Sequence, residues 1–184
     1  SKDNPKRFFW NYLGLGLSSF YLVLTVFLQF IVENKVQKSL DNNQIIYSNL
    51  VVKPTAMNTI LWNIIIETDD AFLISDYSFF DTKEINFEKH LKNHQLIDSL
   101  ENEPIIKQLK RISENQFIIT NTNNQLQFND LRFGMLSNEK DSVKYAFSYD
   151  LYHENEKWNA KEVTKEKREG VDLLKNLWIR LQGN

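Results

Sequence analysis

The 184-residue sequence contains no cysteine, only five glycines and only three prolines. The lack of cysteine excludes disulfides, thiolate metal sites and cysteine nucleophiles. The few glycines form no glycine-rich loop for phosphate, and no serine-centred nucleophile elbow is present. A net charge of −2 provides no overall basic field, and no basic patch interleaved with aromatic residues occurs. We therefore expect no nucleic-acid partner.

Charge is also missing from one long apolar segment. From Phe8 to Val32 there is no charged residue, a run of 25 positions. A helix of that length is ~37 Å long, enough to cross a hydrocarbon core of ~30 Å. Trp10 and Tyr12 lie near one end, where aromatic rings prefer the headgroup level. This run predicts a membrane-spanning helix. The alternatives are a buried core helix, since several polar residues interrupt the run, and a signal peptide, which needs a small-residue cleavage site that is missing here.

Two further features of this segment concern its neighbours and its orientation. Gly14 and Ser18 are four residues apart, a spacing of small residues that lets helices approach closely in lipid. The first residue is Ser1, so we expect the chain to be cut from a longer protein in which this helix packs against other spans. Lysine and arginine outnumber aspartate before the helix, whereas the charges after it balance. The positive-inside tendency then predicts that the soluble domain is extracytoplasmic.

The rest of the chain predicts a single α+β domain with an antiparallel sheet and flanking helices, because runs of strands alternate with runs of helices. We divide the chain into a hydrophobic helix with its extension, residues 1–40, and a soluble domain, residues 41–184. The helix is expected to continue in polar form through Asn34–Leu40. The predicted elements after it are strands Gln44–Val52, Thr59–Glu67 and Ala71–Phe79, helices Phe87–Glu101 and Pro104–Ile112, strands Gln116–Thr120, Leu126–Leu136 and Val143–His153, and a helix over Val171–Leu181.

The string from Asp130 to Gly134 is the most distinctive candidate site. On a strand, Asp130 and Arg132 point to the same face, where they can form a bidentate ion pair. Such a pair either orders a strand bulge that Gly134 allows to bend, or holds the arginine ready for an anionic ligand.

Two other residue groups carry weaker signals. Trp62 and Tyr77 belong to a rich aromatic set, which fits either a core or a cleft for a lipid-like ligand. His90 and His94 are four apart in the predicted helix Phe87–Glu101, so both rings could face one metal. The position that a zincin needs for glutamate is Leu91, however, and a third ligand is unspecified. A solvated helix face with two surface histidines explains the spacing equally well.

Five short blocks occur in order along the chain: Lys6–Asn11 with Leu15, Ser18 and Ser19; Pro54–Trp62; Tyr77–Asp81; Asp130–Gly134; and Leu177–Gly183. In this order they resemble the C-terminal portion of the bacterial membrane-bound metal-dependent hydrolases, a family also described as LexA-binding, inner-membrane-associated hydrolases. The resemblance implies a bacterial inner-membrane protein whose preceding spans carry the histidines and aspartates that bind a divalent metal. None of those ligands lies in this chain, so no catalytic residue and no metal ligand is assigned to it.

Three functions remain open at this point. The first is the last span and soluble accessory domain of such a hydrolase, with Asp130, Arg132, Tyr77 and Trp62 as candidate ligand-binding residues; its partners are the membrane and other spans. The second is a non-enzymatic extracytoplasmic sensor or ligand-binding module on a single anchor. The third is a free-standing metal enzyme that uses the two histidines above.

Overall fold

The computed structural model describes residues 5–55, 58–122, 124–139, 142–164 and 169–183. The predicted α+β class is confirmed: a long apolar helix precedes two four-stranded antiparallel sheets and short helices. Sheet A has the strand order β1-β2-β3-β4 and sheet B the order β5-β6-β7-β8, so every strand pairs with its neighbour in sequence. The elements are α1 (Pro5–Asn42), β1 (Asn49–Pro54), β2 (Leu61–Glu67), β3 (Ala71–Ser78), β4 (Glu88–Leu91), a 3-10 helix (His94–Leu100), α2 (Pro104–Ile112), β5 (Phe117–Thr122), β6 (Gln125–Glu139), β7 (Ser142–Glu154), β8 (Lys157–Glu162) and α3 (Glu169–Leu181).

Strand β2 lies in the interior of sheet A and is apolar on both faces. Trp62, Ile64 and Ile66 point to the face that α1 covers. Ile65 points the other way, into the layer shared with sheet B. This double burial suits the β-branched residues, which pack well on a pleated surface. The hairpin to β3 turns at Thr68, whose N–H donates to the carbonyl of Ala71 (2.9 Å).

Helix α1 divides into two halves with different surroundings. In the exposed half, residues 8–24, every side chain is exposed. In the packed half, residues 28–40, Val32, Val36 and Leu40 are fully buried. These three residues are four apart and therefore form one stripe on the helix, which packs on the outer face of sheet A. The continuation after Val32 is thus helical, as expected, but its apolar stripe is part of the core. The division at residue 40 stays a prediction, since it concerns domains and not secondary structure.

The two sheets stack on each other, and sheet B carries a second helical layer. Ile65 and Ile74 of sheet A meet Ile118 and Leu131 of sheet B in a shared apolar cluster. The opposite face of sheet B is covered by the 3-10 helix and α2, through Ile97, Leu100, Ile106 and Leu109. Pro104 occupies the first turn of α2, where its missing N–H costs nothing. The layers are therefore α1, sheet A, sheet B and the α2 layer, in that order.

Three sequence-based assignments differ from the structure. The predicted strand Gln44–Val52 begins only at Asn49, because residues 43–48 form the connection after α1. The predicted helix Phe87–Glu101 is wrong: its first part is the edge strand β4, which pairs with β3, and its second part is the 3-10 helix. Strand β8 was not predicted. It pairs with β7 through a two-residue turn in which Asn155 and Glu156 both have positive φ, the conformation of a tight hairpin turn.

The packing of α1 on sheet A gives a direct stability test. We expect Leu40→Ala to lower the free energy of unfolding by about 2–4 kcal/mol, because it leaves a cavity under a fully buried side chain. Leu22→Ala is the matched control, since Leu22 is 65% exposed on the same helix. Denaturant unfolding in detergent, followed by tryptophan fluorescence, measures both. Equal effects of the two substitutions would contradict the division of α1 into halves.

Candidate functional site

The Asp130–Arg132 pair forms as the sequence predicted, at a bulge of β6. The Oδ1 atom of Asp130 accepts from the backbone N–H of Arg132 (2.9 Å) and from its Nε (3.2 Å), and Oδ2 accepts from Nη2 (2.9 Å). The pairing of β6 with β7 shifts register after Asp130, and Gly134 has a φ of +77°. The local sequence therefore builds a bend that aims arginine and aspartate at each other.

A second carboxylate shares the same guanidinium group. Oε1 of Glu114, in the turn after α2, lies 3.1 Å from Nη1 of Arg132. The side chain of Asp130 is only 3% exposed and that of Arg132 19%. The hydrogen bonds that Arg132 donates to Asp130 raise the pKa of Arg132 above its ordinary value, with a further contribution from Glu114. These contacts fit an ion pair that orders the bulge; anion binding at Arg132 stays a prediction.

Trp62 and Tyr77 face each other across β2 and β3 and lie under α1. Trp62 is fully buried, and its Nε1–H donates to the carbonyl of Thr59 (3.0 Å). The Tyr77 hydroxyl accepts a hydrogen bond from Nζ of Lys35 on α1 (3.1 Å), and its ring packs edge-on against Phe79. Both residues belong to the core cluster on which α1 rests. Their ligand-binding role stays a prediction, and they lie in a different sheet from Asp130 and Arg132.

The two histidines proposed as a metal pair point to different partners. His90 lies on β4, where its Nδ1 is 3.3 Å from the Tyr145 hydroxyl. His94 begins the 3-10 helix, stacks on Phe117 and has its Nε2 2.9 Å from that residue's carbonyl oxygen. The prediction that His90 and His94 share one face of a helix is therefore wrong. Across the described ranges, no group of three or more His, Asp or Glu side chains is placed to hold a metal ion.

A buried ion pair that the sequence did not reveal fastens the C-terminal helix. Nη1 and Nη2 of Arg180 lie 2.6 Å and 2.7 Å from the two carboxylate oxygens of Asp81, whose side chain is only 4% exposed. The Arg180 guanidinium also donates to the backbone carbonyl of Asp76. The hydrogen bonds that Arg180 donates to Asp81 raise the pKa of Arg180. We call this pair, with the two contacts described next, the C-terminal clamp.

Two further contacts complete the C-terminal clamp. The Ser78 hydroxyl donates to the carbonyl of Leu181 (2.7 Å). Gly183 has a φ of +93°, and a side chain there would collide with the carbonyl of Phe80. The clamp thus joins the blocks Tyr77–Asp81 and Leu177–Gly183, which the sequence had singled out separately. Spacing alone could not pair them, because Asp81 and Arg180 are 99 residues apart.

No family model, curated protein or solved structure matches the chain. The candidate residues must therefore be judged by what each side chain contacts. By that measure Asp130, Arg132, Tyr77 and Trp62 hold the fold at two separate places, and Asp81 and Arg180 hold it at a third.

The C-terminal clamp predicts that arginine and lysine are not equivalent at position 180. We expect Arg180→Lys to lower the free energy of unfolding by about 1–3 kcal/mol, because lysine cannot donate two parallel hydrogen bonds to the buried Asp81. Lys175→Ala removes an exposed cation from the same helix and is the control. Hydrogen exchange of α3 should accelerate in the first variant only; unchanged exchange there would argue against the clamp.

Burial of the histidines predicts a loss of stability in mild acid. Desolvation lowers the pKa of both His90 and His94 in the folded chain, so the unfolded chain binds more protons below its histidine pKa of about 6.5. Their contribution is complete above that pH and decreases below it. His94→Gln should weaken the fall in unfolding free energy between pH ~7.5 and ~5.5. Identical pH profiles for the wild type and His94→Gln would refute this assignment.

Proposed function

We propose that this chain is the last membrane span and the soluble accessory domain of a bacterial inner-membrane metal-dependent hydrolase. Its catalytic ligands and divalent metal would belong to preceding spans. The observation that carries the membrane part is α1, which continues without a break from an exposed apolar half into the core of sheet A. The hydrolase part is supported by the five sequence blocks, two of which meet in the C-terminal clamp.

The exposed half of α1 has the chemistry of a lipid-facing helix. Of the described helices, α1 is the one that is long and apolar enough to cross a membrane. Ser18 donates its hydroxyl to the carbonyl of Leu15 (2.9 Å), and Thr25 donates to that of Tyr21 (2.9 Å). Polar side chains that bond back to their own helix are compatible with a bilayer, where an unsatisfied group costs several kcal/mol. Gln29 marks the far end, since it bonds to Glu33 and reaches the carbonyl of Val52.

The small-residue face of α1 supports packing against further spans. Gly14 and Ser18 lie on one face, and a Cβ atom added at Gly14 would contact nothing within 4 Å. A neighbouring helix can therefore approach this face closely. In the proposed protein, the accessory domain would be held in a fixed position relative to the spans that carry the metal, close enough to orient a substrate or partner at the membrane.

The alternative is a non-enzymatic extracytoplasmic sensor or ligand-binding module on a single anchor. The same continuity of α1 favours it, because Lys35 on the helix contacts Tyr77 in sheet A (3.1 Å). A ligand that shifted sheet A would also shift the helix. The two functions differ in what surrounds the helix in the membrane.

The decisive experiment uses the protein expressed from its complete reading frame. We expect spans bearing histidine and aspartate to precede this chain, and bound divalent metal in the purified protein. Expressed as two polypeptides, those spans and this chain should co-purify in detergent. Gly14→Leu should lower the yield of the complex, whereas Gly16→Leu should not, because it places the same bulk on the opposite face of the helix. Equal yields for the two variants would count against the packing face. A reading frame that adds no span would leave the single-anchor alternative.

A further inference from the structure

The exposed half of α1 leaves the domain at a definite end of sheet A. Gln29 reaches the carbonyl of Val52 in the second half of β1 (3.4 Å). The turn that follows α1 leads instead to the start of β1, where Ser48 bonds to Glu67. Helix α1 is therefore antiparallel to β1, and its exposed half extends beyond the end of the sheet at which β1 and β3 finish. That end carries Pro54, paired with Trp62, and Ser78, paired with Leu61. We call it the exit end.

The C-terminal clamp places three exposed apolar side chains at the exit end. Phe80 lies two residues after the end of β3 and is 57% exposed. Trp178 and Ile179, in the last turns of α3, are 64% and 56% exposed. Arg180 and Leu181, the next residues in the chain, are fastened to Asp81 and Ser78, so α3 ends beside the last residues of β3. We call Phe80, Trp178 and Ile179 the apolar rim.

Basic residues accompany the apolar rim. Lys83 is three residues beyond Phe80, and Lys175 is one helical turn before Trp178; both are exposed. A tryptophan with lysines nearby suits the boundary between headgroups and acyl chains, where the indole ring prefers to lie and where anionic lipids attract basic side chains. A dry interface with another protein is a poorer match, since lysine is depleted from the cores of such interfaces.

We propose that the apolar rim inserts into the headgroup layer of the membrane that α1 spans, and so forms a second attachment of the domain. This inference rests on the proposed anchoring by α1 and is supported by the continuity between the rim and the end from which the helix leaves. Two attachments would fix the tilt of the domain, so that the exit end faces the lipid and the opposite end of sheet A, where Ser48 bonds to Glu67, faces away.

The absence of cysteine allows a clean test with single nitroxide labels. Trp178→Cys and Ile179→Cys probe the rim, and Phe20→Cys probes the exposed half of α1. Ile46→Cys is the matched control, because Ile46 is an exposed apolar residue (90%) in the connection at the opposite end of sheet A. Each labelled chain is reconstituted in vesicles of phosphatidylethanolamine and phosphatidylglycerol. Collisions with oxygen, enriched in lipid, are compared with collisions with a water-soluble nickel chelate.

We expect the ratio of oxygen to nickel collisions to be highest at position 20, intermediate at 178 and 179, and severalfold lower at 46. If the label at position 178 were as accessible to water as the one at 46 while position 20 lay deep in lipid, insertion of the apolar rim would be contradicted. Anchoring by α1 would still hold. A label at 178 shielded from both reagents would mean that a protein surface covers the rim, and would overturn it as well. An aqueous label at position 20 would instead remove the anchor on which the inference rests.

Discussion

The packing of Val32, Val36 and Leu40 on the outer face of sheet A determines how the rest of the molecule is arranged. Each of these side chains is fully buried, and burial of an aliphatic side chain contributes about 1.5–3 kcal/mol. The inner face of the same sheet is occupied by sheet B. Without α1, the face that carries Trp62 and Ile64 would be open to water. The helix is therefore part of the fold and cannot be regarded as a detachable tether.

Helix α1 combines two features that a flexible linker could not. Its packed half completes the core of sheet A, and its exposed half extends from that core as a continuous helix. Sharp helix kinks need proline, glycine or a local bulge, and no proline or glycine occurs between Thr25 and Asn42. Neither residue type is therefore available to kink α1 between its exposed half and its packed half. If α1 spans a membrane as proposed, a straight helix would suit an accessory domain next to other spans, and would equally suit a sensor that reports ligand binding along the helix. In both cases the C-terminal clamp adds a second fixed point, since it holds the end of α3 beside the end of β3.

The sequence predicted those elements whose signals are local. The two strands of the β2–β3 hairpin were predicted from their own sequences, and a bulge allowed by Gly134 was one of the two alternatives for the Asp130–Arg132 pair. The prediction of a helix for residues 87–101 was wrong because the spacing of their apolar residues resembles that of a helix. In the structure, pairing with β3 makes the first part of this segment an edge strand. Of its spaced leucines, Leu91 and Leu96 are exposed. Tertiary pairing overrode local propensity there.

Contacts between distant residues could not be predicted in the same way. The sequence identified the blocks around Asp81 and Arg180 but gave no reason to join them, because an ion pair leaves no periodic pattern in the chain. The candidate site shows the opposite case. Asp130 and Arg132 are two residues apart, so their mutual orientation followed from strand geometry. The contact between Glu114 and Arg132 could not be predicted in this way, because Glu114 lies in a separate turn.

The continuity of α1 between its exposed half and the core of sheet A can be measured directly by amide hydrogen exchange of the full chain in lipid nanodiscs. We expect slow exchange to extend without interruption from the exposed half through Gln29 and Glu33 to Leu40, because one hydrogen-bonded helix lies first in lipid and then on sheet A. A rapidly exchanging segment between residues 25 and 33, flanked by protected residues on both sides, would show a hinge at the membrane surface. That result would contradict the rigid coupling on which this account of the domain depends.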